Sequence, residues 1–207
     1  MFQEVIEIFK MGGVLMIPII LGSVISLAIF FERFLYLRVK NISSDKLFNK
    51  LIDLVKTDKI SEASVLVKNN EEVLSRILRS VFDNWKRDNE FLKELAQEKG
   101  KKEIYQMERS IGIISVIAMI SPLLGLLGTV TGMISVFKEF VQNQSDPSFM
   151  SSGISQALIT TATGLIVAIP AIIGSRYLLS KSDLLILDLE EKLFQIISYN
   201  NLEKKWI

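Results

Sequence analysis

Two runs of small and hydroxylated residues are the part of this sequence on which chemistry can be built. In the first, Ala157, Thr161, Gly164, Ala168, Ala171 and Ser175 recur at spacings of four and three, and Gly153 extends the run by another four. A seven-residue repeat of small residues lays one continuous face along a helix and favours close, left-handed packing. In the second, Ser121, Gly125 and Thr129 recur every four residues, with Gly128 and Gly132 beside them. Two adjacent helices can face each other along these seams. Gly128, Gly132, Ala157, Gly164 and Ala168 therefore read as helix-packing residues, together with Pro122 and Pro170. The hydroxyls of Thr129 and Thr161 have two readings, a polar path or a bond back to their own helix. Thr160 and Thr163 lie on neighbouring faces.

The absences are equally informative. The runs that hold these residues, 110–137 and 148–175, and a third run at 11–31 contain no Asp, Glu, Lys or Arg. A proton relay through a membrane normally uses carboxylates or His. These runs offer hydroxyls and one amide, Gln156, which hold water or pass a cation but do not titrate near neutral pH. The polypeptide alone is therefore not a complete proton carrier, and the titrating group must come from elsewhere. The chain has no Cys and no His, which excludes a disulfide framework, zinc sites built on those residues and His-based acid–base catalysis. No nucleophile–base pair, phosphate loop or metal-ligand cluster supports an enzyme. The net charge of +1 gives no reason to expect a nucleic-acid partner.

The elements that must position these residues follow from charge and hydropathy. Hydrophobic residues are 49% of the 207 and charged residues 23%, a mixture that fits apolar spans separated by charged segments. A bilayer core is about 30 Å thick, so each of the three runs is long enough to cross it as a helix. The expected order is an N-terminal segment at 1–10, a first span at 11–36, a helical domain at 37–109, a second span at 110–137, a short polar loop at 138–150, a third span at 151–176 and a C-terminal helix at 177–207. Segment 1–10 reads either as a short interfacial helix or as a frayed terminus, and it lacks the features of a signal peptide. In the first span Gly22 and Ser26 form a small-residue contact, Pro18 predicts a kink, and Phe34 and Tyr36 close it with an aromatic belt.

The polar part reads as helical. Leu74, Ile77, Leu78, Val81, Phe82 and Trp85 fall on one face of an amphipathic helix. Ser44-Asp45 is a capped start for a helix carrying Leu47, Phe48, Leu51, Ile52 and Val55. A short helix is expected near Ile60, and 90–107 is expected to run into the second span despite Gly100. Leu185, Leu189, Leu193 and Ile196 or Ile197 line one face of the tail. Residues 38–109 hold 16 Lys and Arg, the tail from Arg176 holds 5, and the loop between the second and third spans holds Lys138 alone. The positive-inside rule puts the polar domain and the tail in the cytoplasm, with the N-terminus and the loop outside. Glu103, Glu108 and Arg109 stand at the cytoplasmic entrance of the second span. They read as an ion exit or partner contact, or as an interfacial charge cluster.

PLLGLLGTVTGM, after the lead-in MERSIGII, resembles the second transmembrane helix of the ExbB/TolQ/MotA family. ISQALITTATGLIVAIPA resembles the third, and the first span ending FFERFLYLR is a weaker match. The resemblance covers all three spans in order, and the three-span layout favours the ExbB/TolQ branch over the four-span MotA branch. It implies an all-α polytopic membrane protein whose long helices extend into a cytoplasmic domain, assembled as a ring of five copies around two copies of a single-span, Asp-bearing partner of the ExbD, TolR or MotB type. It implies a stator subunit in the bacterial inner membrane that turns the ion motive force into mechanical work through a TonB- or TolA-like protein. It implies no cofactor, with H+ as the transported ion and Na+ as the alternative. The residues it places along the ion path are Thr129 and Thr161, with Gln156, Ser121, Gly125 and Thr160 near them. The family usually has Glu where this chain has Gln156, in QALITTA, which puts proton binding at that position in doubt. The rival reading is a non-conducting helical membrane scaffold.

Overall fold

The computed structural model describes residues 12–38, 42–143 and 147–200, with side chains described outside 139–150. The expected N-terminal segment, the tip of the polar loop at 144–146 and the last seven residues lie outside the described residues. The fold is all-helical: α1 (Met16–Tyr36), α2 (Asp45–Lys56), α3 (Ile60–Lys68), α4 (Val73–Asp83), α5 (Asn89–Asn143) and α6 (Pro147–Ser198). Three of these, α1, α5 and α6, are long and apolar enough to cross a membrane. The helices α5 and α6 run far past their apolar stretches, with 55 and 52 residues. Lys138 ends the apolar stretch of α5 but not the helix, because one charge does not interrupt helical backbone bonding.

The chain forms two compact units. The first takes α1 as far as Phe31 and the apolar stretches of α5 and α6 from Ile111 to Tyr177. Its core is rich in small groups: Ser26, Ala118, Ser121, Ala157, Thr160, Ala168, Ala171 and Ser175 are buried, together with the larger Met16, Ile19, Ile111, Ile114 and Val136. Many of its other large side chains point outward, among them Leu21, Met119, Leu123, Ile134, Ile166 and Ile173. That inversion suits hydrocarbon or neighbouring protein, since a water-soluble monomer rarely exposes so much contiguous apolar surface. Pro18 falls in the first turn of α1, where its missing N–H has no helical partner to lose. The kink expected there does not follow.

The second unit joins Glu32–Ser110 to the chain from Leu178 onward. Here the packing is that of a soluble bundle. The α2 face Leu47, Leu51 and Val55 is buried, as are Leu74, Ile77, Leu78, Val81 and Phe82 of α4. Trp85 lies beyond the end of α4 and keeps its ring 5.2 Å from that of Phe82. Leu185, Leu189, Leu193, Ile196 and Ile197 of α6 complete the core. Ser44 caps α2 by accepting from Leu47 N, and it is held in turn by Glu72, which accepts from both its N–H and its hydroxyl. Lys192 lies on the apolar face of α6, only 6% exposed, and donates to Ser43 O, Asp45 and Asp188. Burial pushes its ammonium down, but hydrogen bonds and charge from Asp188 and Asp45 outweigh this and hold it above the ordinary lysine value.

Candidate functional site

The site is the seam between α5 and α6 in the first unit. Its depth is set by glycine. A Cβ on Gly164 would stand 2.6 Å from Ser121 O and 3.3 Å from Gly125 Cα. A Cβ on Gly125 would stand 3.0 Å from Thr161 Cα, and one on Gly132 3.0 Å from the Cβ of Ala157. At Gly164 and Gly125 these are backbone-to-backbone approaches that a methyl group would force apart. Gly128 receives the side chain of Thr160, and Gly153 lies against Val136. Ala157 and Ala168 are buried, while Pro122 is half-buried in the continuous α5. Pro170 lies on the exposed side of α6 and lines a groove of about 490 Å3 with Ser23, Ser26 and Phe30 of α1, Ile114 of α5 and Ala171.

The hydroxyls share one habit. Thr161 Oγ1 donates across the seam to Gly125 O at 2.8 Å. Thr129 donates to Leu126 O at 2.7 Å, Ser121 to Ile117 O at 2.7 Å and Thr163 to Ile159 O at 2.8 Å. Each hydrogen is committed to a backbone carbonyl, so at the half-buried Thr129, Thr161 and Thr163 the outward side of the oxygen offers lone pairs. Such oxygens can accept from water or a cation but have no hydrogen left to donate.

The residues named from sequence divide by exposure. Thr129 and Thr161 are half-buried and keep a face toward the surroundings, and Gln156 is exposed. Ser121, Gly125 and Thr160 are buried within the chain, Thr160 at 1%, so they have no surface with which to line a path outside it. The side chain of Gln156 lies against Gly13 at the head of α1. The spacing of four and three puts Thr161 on the seam and Thr160 on a neighbouring face; the structure buries Thr160 and half-exposes Thr161.

The three charged residues at 103–109 are not one site. Glu103 is only 14% exposed and forms a bidentate pair with Arg76 of α4, Nε to Oε1 at 3.1 Å and Nη2 to Oε2 at 2.6 Å. The hydrogen bond to Glu103 raises the already high Arg76 pKa further, so this guanidinium stays charged. Glu108 is half-buried and Arg109 exposed, and neither makes an ion pair among the described residues. Sequence reasoning missed Arg76, 27 residues from its partner, and Lys192. It also missed the pair Gly12-Gly13, although two glycines ahead of an apolar run are a turn signal.

Comparison with known proteins places this architecture. Residues 69–191, which include the seam, match the family described as MotA/TolQ/ExbB proton channel family. The chain is similar to the putative biopolymer transport protein ExbB-like 1 of Synechocystis sp., 30% identical over 181 residues, covering 86% of this chain and 71% of that protein. It is 30% identical to the biopolymer transport protein ExbB of Salmonella typhimurium over 169 residues, 76% of this chain and 68% of that one. A shorter match, 35% identical over 86 residues, covers 41% of this chain and 37% of the Tol-Pal system protein TolQ of Pseudomonas aeruginosa. With three membrane-length helices and a seam inside the matched region, this chain belongs to the MotA/TolQ/ExbB proton channel family.

Proposed function

We propose that this chain is the ion-channel subunit of an energy-transducing complex in the bacterial inner membrane. It works with a single-span, Asp-bearing partner of the ExbD or TolR type and drives a TonB- or TolA-like protein. The observation that carries this reading is the Thr161–Gly125 bond across a glycine-closed seam, beside Thr129, with no ionisable side chain in any of the three apolar runs. The chain supplies oriented lone pairs and a closed wall; the partner's Asp supplies the titrating group. Several copies of the chain, five by resemblance, surround the partner helices, and the outward-facing apolar side chains make the contacts between copies and with lipid. Ion passage neutralises the partner's Asp in turn and rotates its helices against the ring. The two basic segments lie in the cytoplasm and the N-terminus lies outside.

The ion is H+, with Na+ as the alternative favoured by Gln156 at the family's Glu position, since an amide and hydroxyls coordinate a cation without titrating. A non-conducting scaffold is the rival reading that the same amide supports. Thr161→Val in the co-expressed complex separates them. The expected result is a complex that assembles with lost ion flux and lost envelope work. Full flux in that variant would remove Thr161 from the path.

A further inference from the structure

The head of α1 sits on α6 through contacts that an ion path does not require. Gly12 and Gly13 form a turn in which Gly13 has φ 72°, a left-handed value suited to glycine. Met16 N donates to Gly13 O at 3.1 Å and Ile17 N to Val14 O at 3.2 Å, which starts α1. Thr160 Oγ1 stands 2.8 Å from Gly12 O and 2.8 Å from Gln156 O. Its single hydrogen serves one at a time. Gln156 O lies within the α6 ladder, whereas among the described residues no other donor reaches the Gly12 carbonyl. The hydrogen is therefore worth most on Gly12.

A second contact holds the same turn, and a third seats Thr160 against α5. The amide nitrogen of Gln156, one helical turn before Thr160, lies where a Cβ on Gly13 would be. The Thr160 side chain fills the space that Gly128 of α5 leaves open. The very next residue, Thr161, donates to Gly125 of α5. Consecutive residues of α6 thus tie it to the other two spans in different directions. Since a helix turns by about 100° per residue, holding residue 160 fixes where residue 161 points.

We propose that Thr160 is a positioning residue and that Gln156 completes its seat. Together they latch the Gly12-Gly13 turn onto α6 and set the rotation of α6 at Thr161. Only the consequence for ion flow rests on the ion-path reading of Thr161; the latch itself does not.

The test is hydrogen exchange and magic-angle-spinning NMR on the full chain in lipid nanodiscs, neither of which depends on ion flow. In Thr160→Val the Met16 and Ile17 amides are expected to exchange at least roughly tenfold faster, because the buried Gly12 carbonyl loses its donor. Thr160→Ser keeps the hydroxyl and is expected to retain wild-type protection. The Thr161 Cβ resonance is expected to move in Thr160→Val and to stay in Thr160→Ser. Wild-type exchange in Thr160→Val, or a serine variant as fast as the valine one, would overturn the latch. An unmoved Thr161 resonance in Thr160→Val would overturn the positioning role. If Thr160→Val does not fold, Gln156→Ala decides. It leaves the Thr160 hydroxyl and the Gly12-Gly13 backbone in place but removes the amide beside Gly13, and accelerated exchange supports the latch while wild-type exchange overturns it.

Discussion

Replacing Gly164 by Ala tests whether the α5/α6 seam is closed by backbone contact. The new methyl would stand 2.6 Å from Ser121 O and 3.3 Å from Gly125 Cα, and both are backbone atoms that cannot swing aside. Carbon contacts relax near 3.5–4.0 Å, so the helices must part by roughly 1 Å. A gap of that size forfeits about a quarter to a half of the dispersion at each facing contact. The Thr161–Gly125 hydrogen bond, now 2.8 Å, would stretch past its useful range. Overpacking costs about 1–3 kcal/mol and a lost hydrogen bond about 1 kcal/mol, so the variant should be destabilised by roughly 2–4 kcal/mol. The assay is thermal unfolding of the detergent-solubilised chain, followed by circular dichroism. Gly100→Ala is the control: nothing lies within 4 Å of its added Cβ, and it replaces glycine within a helix. It should stabilise by up to about 1 kcal/mol. A Gly164→Ala protein as stable as wild type would refute the backbone seam, because nothing else in the structure absorbs that methyl.

Two further outcomes are expected in the second unit. Lys192→Met should destabilise it by about 2 kcal/mol, since Ser43 O loses a buried charged donor. The folded Lys192 pKa is raised, so its contribution is complete below the unfolded value of about 10.4 and declines as pH rises through the folded one. Unfolding titrations from pH 7 to 11 should show that alkaline loss in the wild type and a shallower one in Lys192→Met. Glu103→Gln should weaken the pair with Arg76 and lower stability by about 1–2 kcal/mol while leaving ion flux unchanged. Reduced flux in a folded Glu103→Gln protein, measured in proteoliposomes, would restore an ion-exit role for that carboxylate.

Much of this architecture is legible in local sequence signals. The amphipathic faces of α2, α4 and the tail of α6 follow from helical periodicity, and Ser44 announces the cap of α2. The small residues at 121–132 and 153–164 announce the seam because glycine in a membrane helix has few other uses. What stayed hidden is non-local. That Thr160, off the small-residue repeat, is buried is not visible locally, because the turn that takes its hydroxyl lies almost 150 residues earlier. Glu103 looks like a membrane-entrance carboxylate until Arg76 of α4 reaches it. The extension of α5 past Lys138 is hidden for a different reason. Charge marks where apolar sequence stops, but backbone hydrogen bonding continues, as α5 does to Asn143.

The central claim is that this chain builds the wall of an ion path and borrows its titrating group. The most direct measurement is ion flux into dye-loaded proteoliposomes under proton and sodium gradients, with the chain alone and with a co-expressed single-span protein bearing an intramembrane Asp. The expected result is flux only when both are present, abolished by Asp→Asn in the partner. Flux through the chain alone, or a stable complex that conducts neither ion, would contradict the account.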